Sequence, residues 1–319
     1  MQTATLQPVG PYSLTESIRF LEGFTPAAYE GDEPDRLDLA FVFDAAFLPG
    51  GSEQVAGVSV RDERGDIVVD LSGDADPATV RRQIERILSL DVDGDGFPEV
   101  GRRDPVVGRL QARYPGLRPV LFLSPYEAAA WAIIGNRIRI VQAARIKTRM
   151  ARELGPTVTV AGRPEHAFPG PARLARLDTF QGLSDRKAEY LRQLGEAAPS
   201  GLLDATRLRS LPVEQAMTEL QTLPGIGPFG AELILLRGAG APDLLPLQEP
   251  RLARAIAMAY DLTEPPPPDQ IASLAEPWRP YRTWVTVLLR TMLEDETGEI
   301  SGAGIPRDRP IGRTPSAGD

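Results

Sequence analysis

One stretch constrains this chain more than any other: Leu223-Pro-Gly-Ile-Gly-Pro-Phe-Gly-Ala-Glu-Leu233. It reads as a helix, a tight hairpin and a second helix. Upstream, Val213, Met217, Leu220 and Leu223 fall at helical spacing and form one apolar face between Pro212 and Leu223. Gly225 and Gly227 permit the backbone angles of a sharp turn and leave no side chain to obstruct a close approach. Pro228 suits the first helical position, where its missing amide would be unpaired anyway. The second helix is expected from about Pro228 to Arg237, ending at Gly238 and Gly240. Free amides at a helix N-terminus bind anions, and the natural anion is a phosphate. The alternative is a plain helical hairpin packed in a core; the tight L-P-G-I-G-P pattern favours the phosphate.

Composition bounds what surrounds this hairpin. At 319 residues, 42% of them hydrophobic, the chain has room for two or three domains with sizeable cores. Cysteine is absent, which excludes disulfides, a thiol nucleophile and any cysteine-ligated metal or cluster. The one histidine, His166, is expected in a solvated loop. No basic flank and apolar core of a signal peptide is visible, and no apolar run reaches membrane-spanning length, so a cytoplasmic protein is expected. The net charge of −9 argues against nonspecific DNA binding. Its distribution softens that: residues 1–109 hold 10 of the 35 basic and 21 of the 44 acidic side chains, leaving 25 and 23 for the rest. The rear of the chain can therefore still meet a polyanion.

In chain order, residues 1–10 are an undecided lead. Tyr12 to Phe24 reads as a helix capped by Ser13, and Leu37 to Asp44 as a strand. Gln54 to Arg61 and Asp66 to Leu71 form a hairpin around Asp62–Gly65, followed by a helix from Asp76 to Leu90. Asp91-Val-Asp-Gly-Asp-Gly96 has the start of a calcium loop, but position twelve, which needs a bidentate glutamate, is Arg102; an acidic turn is expected instead. Ile134 to Leu154 is expected as one long helix carrying Arg137, Arg139, Arg145, Lys147, Arg149 and Arg152, either a solvated basic face or part of a DNA-facing surface. Pro164 to Pro171 reads as a loop. Helices are expected at Ala172 to Leu177, Asp185 to Ala198 and Leu202 to Leu211, and a Gly- and Pro-rich tail begins at Gly298.

After Gly238 a Gly/Pro-containing loop leads to Gln248-Glu249-Pro250-Arg251-Leu252-Ala253-Arg254. A helix-hairpin-helix, a Gly/Pro loop and an acid heading the next helix resembles the helix-hairpin-helix-GPD superfamily of DNA glycosylases. Three further blocks resemble its 3-methyladenine DNA glycosylase II branch: Pro125-Tyr-Glu-Ala-Ala-Ala-Trp-Ala-Ile-Ile-Gly-Asn-Arg137, Phe180-Gln-Gly-Leu-Ser-Asp-Arg-Lys-Ala188, and Trp278-Arg-Pro-Tyr-Arg-Thr-Trp284. The resemblance runs from about Tyr12 to Leu293. It implies an α+β, saddle-like N-terminal domain (1–112), an all-α helix-hairpin-helix domain (113–297) and a disordered tail (298–319).

The same resemblance implies roles. The hairpin residues Gly225, Ile226, Gly227 and Pro228 would lie at the surface and grip the DNA backbone, with Gly230 among the DNA-binding residues. The carbonyls of Gln221, Leu223 and Ile226 would hold an alkali ion. Asn136 stands where the family has glutamine, and Arg137 where a side chain fills the gap left by an extruded base. Glu249 stands in the place of the catalytic aspartate, where a fixed carboxylate would stabilise the positive charge that develops on the sugar; acids also favour helix N-termini as plain caps. The base pocket would be lined by Tyr126, Trp131, Phe229, Leu233 and Arg290, the last two standing where the family has aromatics. An arginine there repels a cationic base unless it is turned away or paired. Phe229 occupies the position of the lysine that lets some relatives cut the strand through a Schiff base, so strand cutting is not expected. The implied activity is that of a monofunctional, cofactor-free glycosylase, a monomer acting on double-stranded DNA with damaged bases. A helix-hairpin-helix protein that binds DNA or a lesion without cleaving it is the alternative, and a helical protein that no longer binds DNA is a third.

Overall fold

The computed structural model describes residues 2–23, 35–50, 53–73 and 76–298. Phe24 and the tail beyond residue 298 lie outside the described residues. A four-stranded antiparallel sheet leads, built from β1 (Gln2–Leu6), β2 (Arg36–Val42), β3 (Val55–Glu63) and β4 (Asp66–Ser72) in the order β1-β4-β3-β2. The hairpin of β3 and β4 pairs Val58 with Leu71 and Val60 with Val69, and all four side chains are buried. The undecided lead is β1, which pairs along β4 from Gln2↔Leu71 to Leu6↔Ile67. Helix α1 (Leu14–Gly23) starts where the Ser13 hydroxyl accepts the Glu16 amide at 3.2 Å. Helix α2 (Pro77–Ile87) is capped by Asp76 and turns Val80, Ile84 and Ile87 into the core.

Short helices α3 (Phe97–Arg103) and α4 (Pro105–Arg113) lead into the helical part. There, α5 (Pro125–Gly135) is capped by Ser124 and apolar on every side, hence buried. The expected long helix from Ile134 to Leu154 is two: α5 ends at Gly135, and α6 (Ile140–Leu154) begins after a break in which Arg137 takes a left-handed φ of +56°. A β-branched or charged residue adopts that conformation only at a cost, so the backbone there cannot continue as helix. Nor is the basic face uniform. Arg137, Arg139, Arg145 and Arg152 are exposed, but Lys147 is buried and pairs with Glu127 at 3.1 Å.

The expected loop at Pro164 to Pro171 is half strand. β5 (Thr157–Val160) and β6 (Arg163–His166) form a hairpin about Ala161 and Gly162, whose positive φ angles suit a tight two-residue turn. The helical part is therefore not all-α. The hairpin leans on the first sheet, with the Ser72 hydroxyl donating to the Thr159 carbonyl at 2.6 Å. Helices α7 (Pro171–Leu174), α8 (Asp185–Ala197), α9 (Ala205–Ser210), α10 (Val213–Leu220), α11 (Pro228–Leu233), α12 (Pro250–Ala259), α13 (Pro268–Leu274) and α14 (Arg282–Thr297) complete the chain. Among the described residues no helix is long and apolar enough to cross a membrane.

Two buried arginines join the sheet layer to the helices. Arg86 on α2 donates to the carbonyls of Gly238 at 2.7 Å and Leu123 at 2.8 Å and pairs with Asp44 at 3.2 Å. Arg118 donates to the carbonyls of Pro11 at 2.9 Å, Ser89 at 3.1 Å, Val92 at 3.3 Å and Val9, with its guanidinium 5.0 Å from the centre of the Trp284 ring. The acidic turn at residues 91–96 is thus held by its backbone, and Asp91 pairs with Arg209 at 2.7 Å. Arg118→Met keeps the volume and strands the carbonyls of Pro11, Ser89 and Val92, each worth roughly 1–3 kcal/mol when left unsatisfied, while the Val9 carbonyl keeps the Gly94 amide at 3.1 Å. It is expected to lower stability by about 3–5 kcal/mol, partly offset by water, read as a reduced midpoint in urea unfolding.

Candidate active site

The hairpin closes tightly. The Ile226 amide donates to the Leu223 carbonyl at 3.1 Å, and Gly225 sits at φ +85°. A Cβ on Gly225 would lie 2.5 Å from the Tyr190 ring, so this glycine is required twice over, by conformation and by contact. Gly227 differs from expectation: it is extended (φ −97°, ψ −173°), and nothing lies within 4 Å of a Cβ placed there. Its value is an open approach, not a special backbone angle. The hairpin is only partly on the surface. Gly227, Pro228 and Phe229 are exposed, whereas Ile226 is buried at 6% exposure and packs against Gly230, which is also buried. Ile226 and Gly230 therefore hold the turn from inside and do not present themselves outward. Beside the hairpin, Tyr190 on α8 receives a hydrogen bond from Arg186 at 2.6 Å, which places an exposed guanidinium on its flank.

Helix α11 runs into a π-helical turn over Ile234–Ala239 before Gly240 ends it at φ +83°. The wider turn brings Arg237 inward, where it donates to the Val120 carbonyl at 2.5 Å and lies 5.0 Å from the centre of the Phe20 ring. Burial, with Arg290 nearby, pulls its guanidinium down to about 9. Asn136 and Arg137 project from the α5–α6 break and are both exposed.

Between α11 with its π turn, the head of α12 and the middle of α14 lies a cavity of about 80 Å³ of water-accessible space. Phe229, Leu233, Glu249 and Arg290 line it, as do Glu232, Arg251 and Thr286. Tyr126 and Trp131 do not. Tyr126 is 1% exposed, stacks on Phe47 at 5.1 Å and donates to the Pro169 carbonyl at 2.9 Å. It is a core residue, because α5 is buried on every side. Trp131 is buried in the same helix, against Gly135.

Glu249 does two things at once. It caps α12, its Oε1 accepting the Arg251 amide at 3.2 Å and the Arg251 guanidinium at 3.3 Å. The same side chain lines the cavity, where its charge favours the charged form of Arg290 against the burial that lowers that group. Glu232 was not legible in the sequence. The one available signal is a single acid inside the apolar run from Ala231 to Leu236, since an unpaired carboxylate is rarely left in a buried face. It is 7% exposed, and its Oε2 accepts the Gln248 amide at 3.0 Å. Burial pushes its carboxyl up to about 7, the Gln248 and Leu247 amides work against that, and the Glu249 charge adds to it.

That shift has a consequence for stability. Between its ordinary value of 4.5 and about 7, the folded chain holds a proton at Glu232 that the unfolded chain has released. Its contribution is therefore complete below about pH 4.5 and is lost as pH rises to about 7, by up to about 3 kcal/mol at 1.36 kcal/mol per pH unit. Glu232→Gln, which keeps the acceptor for the Gln248 amide, is expected to remove this component of the pH dependence. Urea unfolding of both proteins at pH 5 and pH 8 checks it; parallel loss in both proteins contradicts the assignment.

No family model matches the chain. Among curated proteins, the DNA-3-methyladenine glycosylase of Bacillus subtilis (strain 168) is 26% identical over 217 residues, 66% of this chain and 71% of that protein. The DNA-3-methyladenine glycosylase 2 of Escherichia coli (strain K12) is 36% identical over 185 residues, 56% of this chain and 61% of that protein, so the chain spans less than two thirds of its length. Among solved structures, the 3-methyladenine DNA-glycosylase from Archaeoglobus fulgidus has the same fold, with a TM-score of 0.74 over 93% of this chain and 98% of that one at 22% identity. The 8-oxoguanine glycosylase/lyase of Clostridium acetobutylicum in its apo-form is also similar in fold, with a TM-score of 0.62 over 91% of this chain and 96% of that one at 16% identity. In sequence the chain is thus similar to DNA-3-methyladenine glycosylases, and it shares its fold with solved DNA glycosylases.

Proposed function

We propose that the chain is a monofunctional DNA glycosylase that removes damaged, alkylated bases in base excision repair, a cytoplasmic monomer acting on double-stranded DNA. One observation carries the reading: Glu249 puts a carboxylate in the wall of a partly enclosed cavity that Phe229, at the exposed tip of the hairpin, also lines. An enzyme acting on a base must take it out of the stack into such a pocket. Cleavage then builds positive charge on the sugar, which a fixed carboxylate in a water-poor site stabilises. Residues 1–112 buttress the helices on this reading, and residues 113–297 do the chemistry. Gly227 and Pro228 meet a phosphate, Arg137 enters the gap left by the base with Asn136 beside it, and Arg186 adds a backbone contact. The carbonyls of Gln221, Leu223 and Ile226 are the donors for an alkali ion behind that phosphate. Leu223 already accepts the Ile226 amide, but a carbonyl oxygen has a second lone pair to offer.

The cap geometry of Glu249 favours a second reading, in which the side chain only starts α12 and the protein binds DNA without cleaving it. Glu249→Gln separates the two. The amide can still accept from Arg251 but carries no charge. Single-turnover release of an alkylated base is expected to fall at least about 100-fold, the size of losing one strong electrostatic contact to the transition state, with duplex affinity unchanged. Equal rates for the two proteins would make Glu249 a cap alone. Because Phe229 offers no amine, the product is expected to be an intact abasic strand, and a borohydride-trapped protein–DNA adduct would contradict that.

The hairpin is tested separately. Gly227→Asp enters open space, so the fold is expected to hold, while its negative charge opposes a phosphate. Duplex binding at low salt is expected to weaken about tenfold or more, which corresponds to roughly 1.4 kcal/mol. Gly225→Ala, by contrast, is expected to lower the melting temperature because of its clash with Tyr190. Unchanged affinity for Gly227→Asp would remove the hairpin from the DNA contact.

A further inference from the structure

We infer that Glu232 is a second catalytic group of the same cavity, the proton donor to the departing base, and that the pocket is built for neutral modified bases able to accept a proton at a ring nitrogen. This rests on the glycosylase reading above and names its substrate class. Geometry carries it. Glu232 and Glu249 both line the cavity, one on the helix that follows the hairpin, the other on the loop that heads α12. Glu232 is 7% exposed and, among the described residues, has no arginine hydrogen-bonded to it; the Gln248 amide holds Oε2, so the carboxyl is anchored while its other oxygen can carry a proton. The polar groups that share the cavity wall with it are Glu249 and Arg251 at the head of α12, Arg290, Thr283 and Thr286 on α14, and Arg237 further along its own helix. Glu249 favours the protonated acid, and burial does so more strongly, to about 7.

The charge balance of the cavity points the same way. With Glu232 neutral, Glu249 is the one carboxylate among the described residues of the wall, and Arg251 and Arg290 both bear on it. Such a wall gives a cationic base no net attraction. A cationic base also departs as a neutral molecule without help, whereas a neutral base departs as an anion unless it is protonated, and a general acid then matters most. In the step proposed, the bond between the sugar C1′ and the base nitrogen breaks and its electron pair stays on the base. Glu232 gives its proton to a ring nitrogen, and the base leaves neutral. The Glu249 carboxylate stabilises the sugar cation. Water adds to C1′, and the proton it sheds returns to Glu232, leaving the abasic sugar and a regenerated acid.

The test uses the full chain and two duplexes, one with hypoxanthine as the neutral base and one with 7-methylguanine as the cationic base. Single-turnover release is measured from pH 5.5 to 8.5 for wild type, Glu232→Gln and Glu232→Asp, after melting curves establish that each is folded. Wild type is expected to release hypoxanthine with a rate that declines as pH rises through about 7. Glu232→Gln is expected to lose at least tenfold on hypoxanthine at pH 6 and to lose the pH dependence, with a clearly smaller loss on 7-methylguanine. Glu232→Asp is expected to restore part of the hypoxanthine rate together with its pH dependence. Equal losses on both bases would make Glu232 a structural residue and overturn the proposal, as would an unchanged pH profile in Glu232→Gln. Release of 7-methylguanine alone by wild type would leave the glycosylase reading standing and overturn this one. Release of neither base would overturn both.

Discussion

The guanidinium of Arg86 is the contact on which the rest depends. A π-helical turn does not repeat the hydrogen bonding of an α-helix, and the carbonyls around it need other partners. Arg86 reaches across from the sheet layer to the Gly238 carbonyl and, in the same plane, to Leu123 and Asp44. Arg237, on the turn itself, answers the Val120 carbonyl, and the Phe122 amide returns to the Arg237 carbonyl at 2.8 Å. The segment 120–123 is thereby fastened between the two layers. The turn it braces is one wall of the cavity. A front layer with none of its described residues in that cavity thus braces one wall of it through buried cations and a handful of backbone oxygens.

The elements that were legible in the sequence are those whose signals are local. The β3–β4 hairpin, the caps at Ser13 and Asp76, and the two helices around the Leu223–Leu233 stretch follow from alternation, cap chemistry and turn residues. The α5–α6 break was not legible, because Arg137 gives no sign of a left-handed backbone and the apolar pattern runs through it. Nor was the strand at Arg163–His166, where Pro164 disguises an edge strand that a proline can occupy.

The site divides along the same line. Phe229, Leu233, Glu249 and Arg290 were found by their places in motifs, and the structure sets all four around one cavity. Tyr126 and Trp131 sit in an equally strong motif but serve the core, since a motif marks a helix without saying which way each residue faces. Glu232 carries no motif at all. Its interest lies in being buried beside another acid, which is a property of three chain segments together and of none alone.

Helix α11 joins Gly227 to Glu232 without a joint. Five residues at about 1.5 Å each set them some 7–8 Å apart along the axis, and the π turn, pinned by buried arginines, keeps the helix from sliding. The segment works as a ruler. Whatever is held at its exposed tip is delivered to the cavity wall at one fixed offset, so selectivity can be exercised by reach before any chemistry begins: a group that stops short of that offset, or overshoots it, never meets the carboxyls.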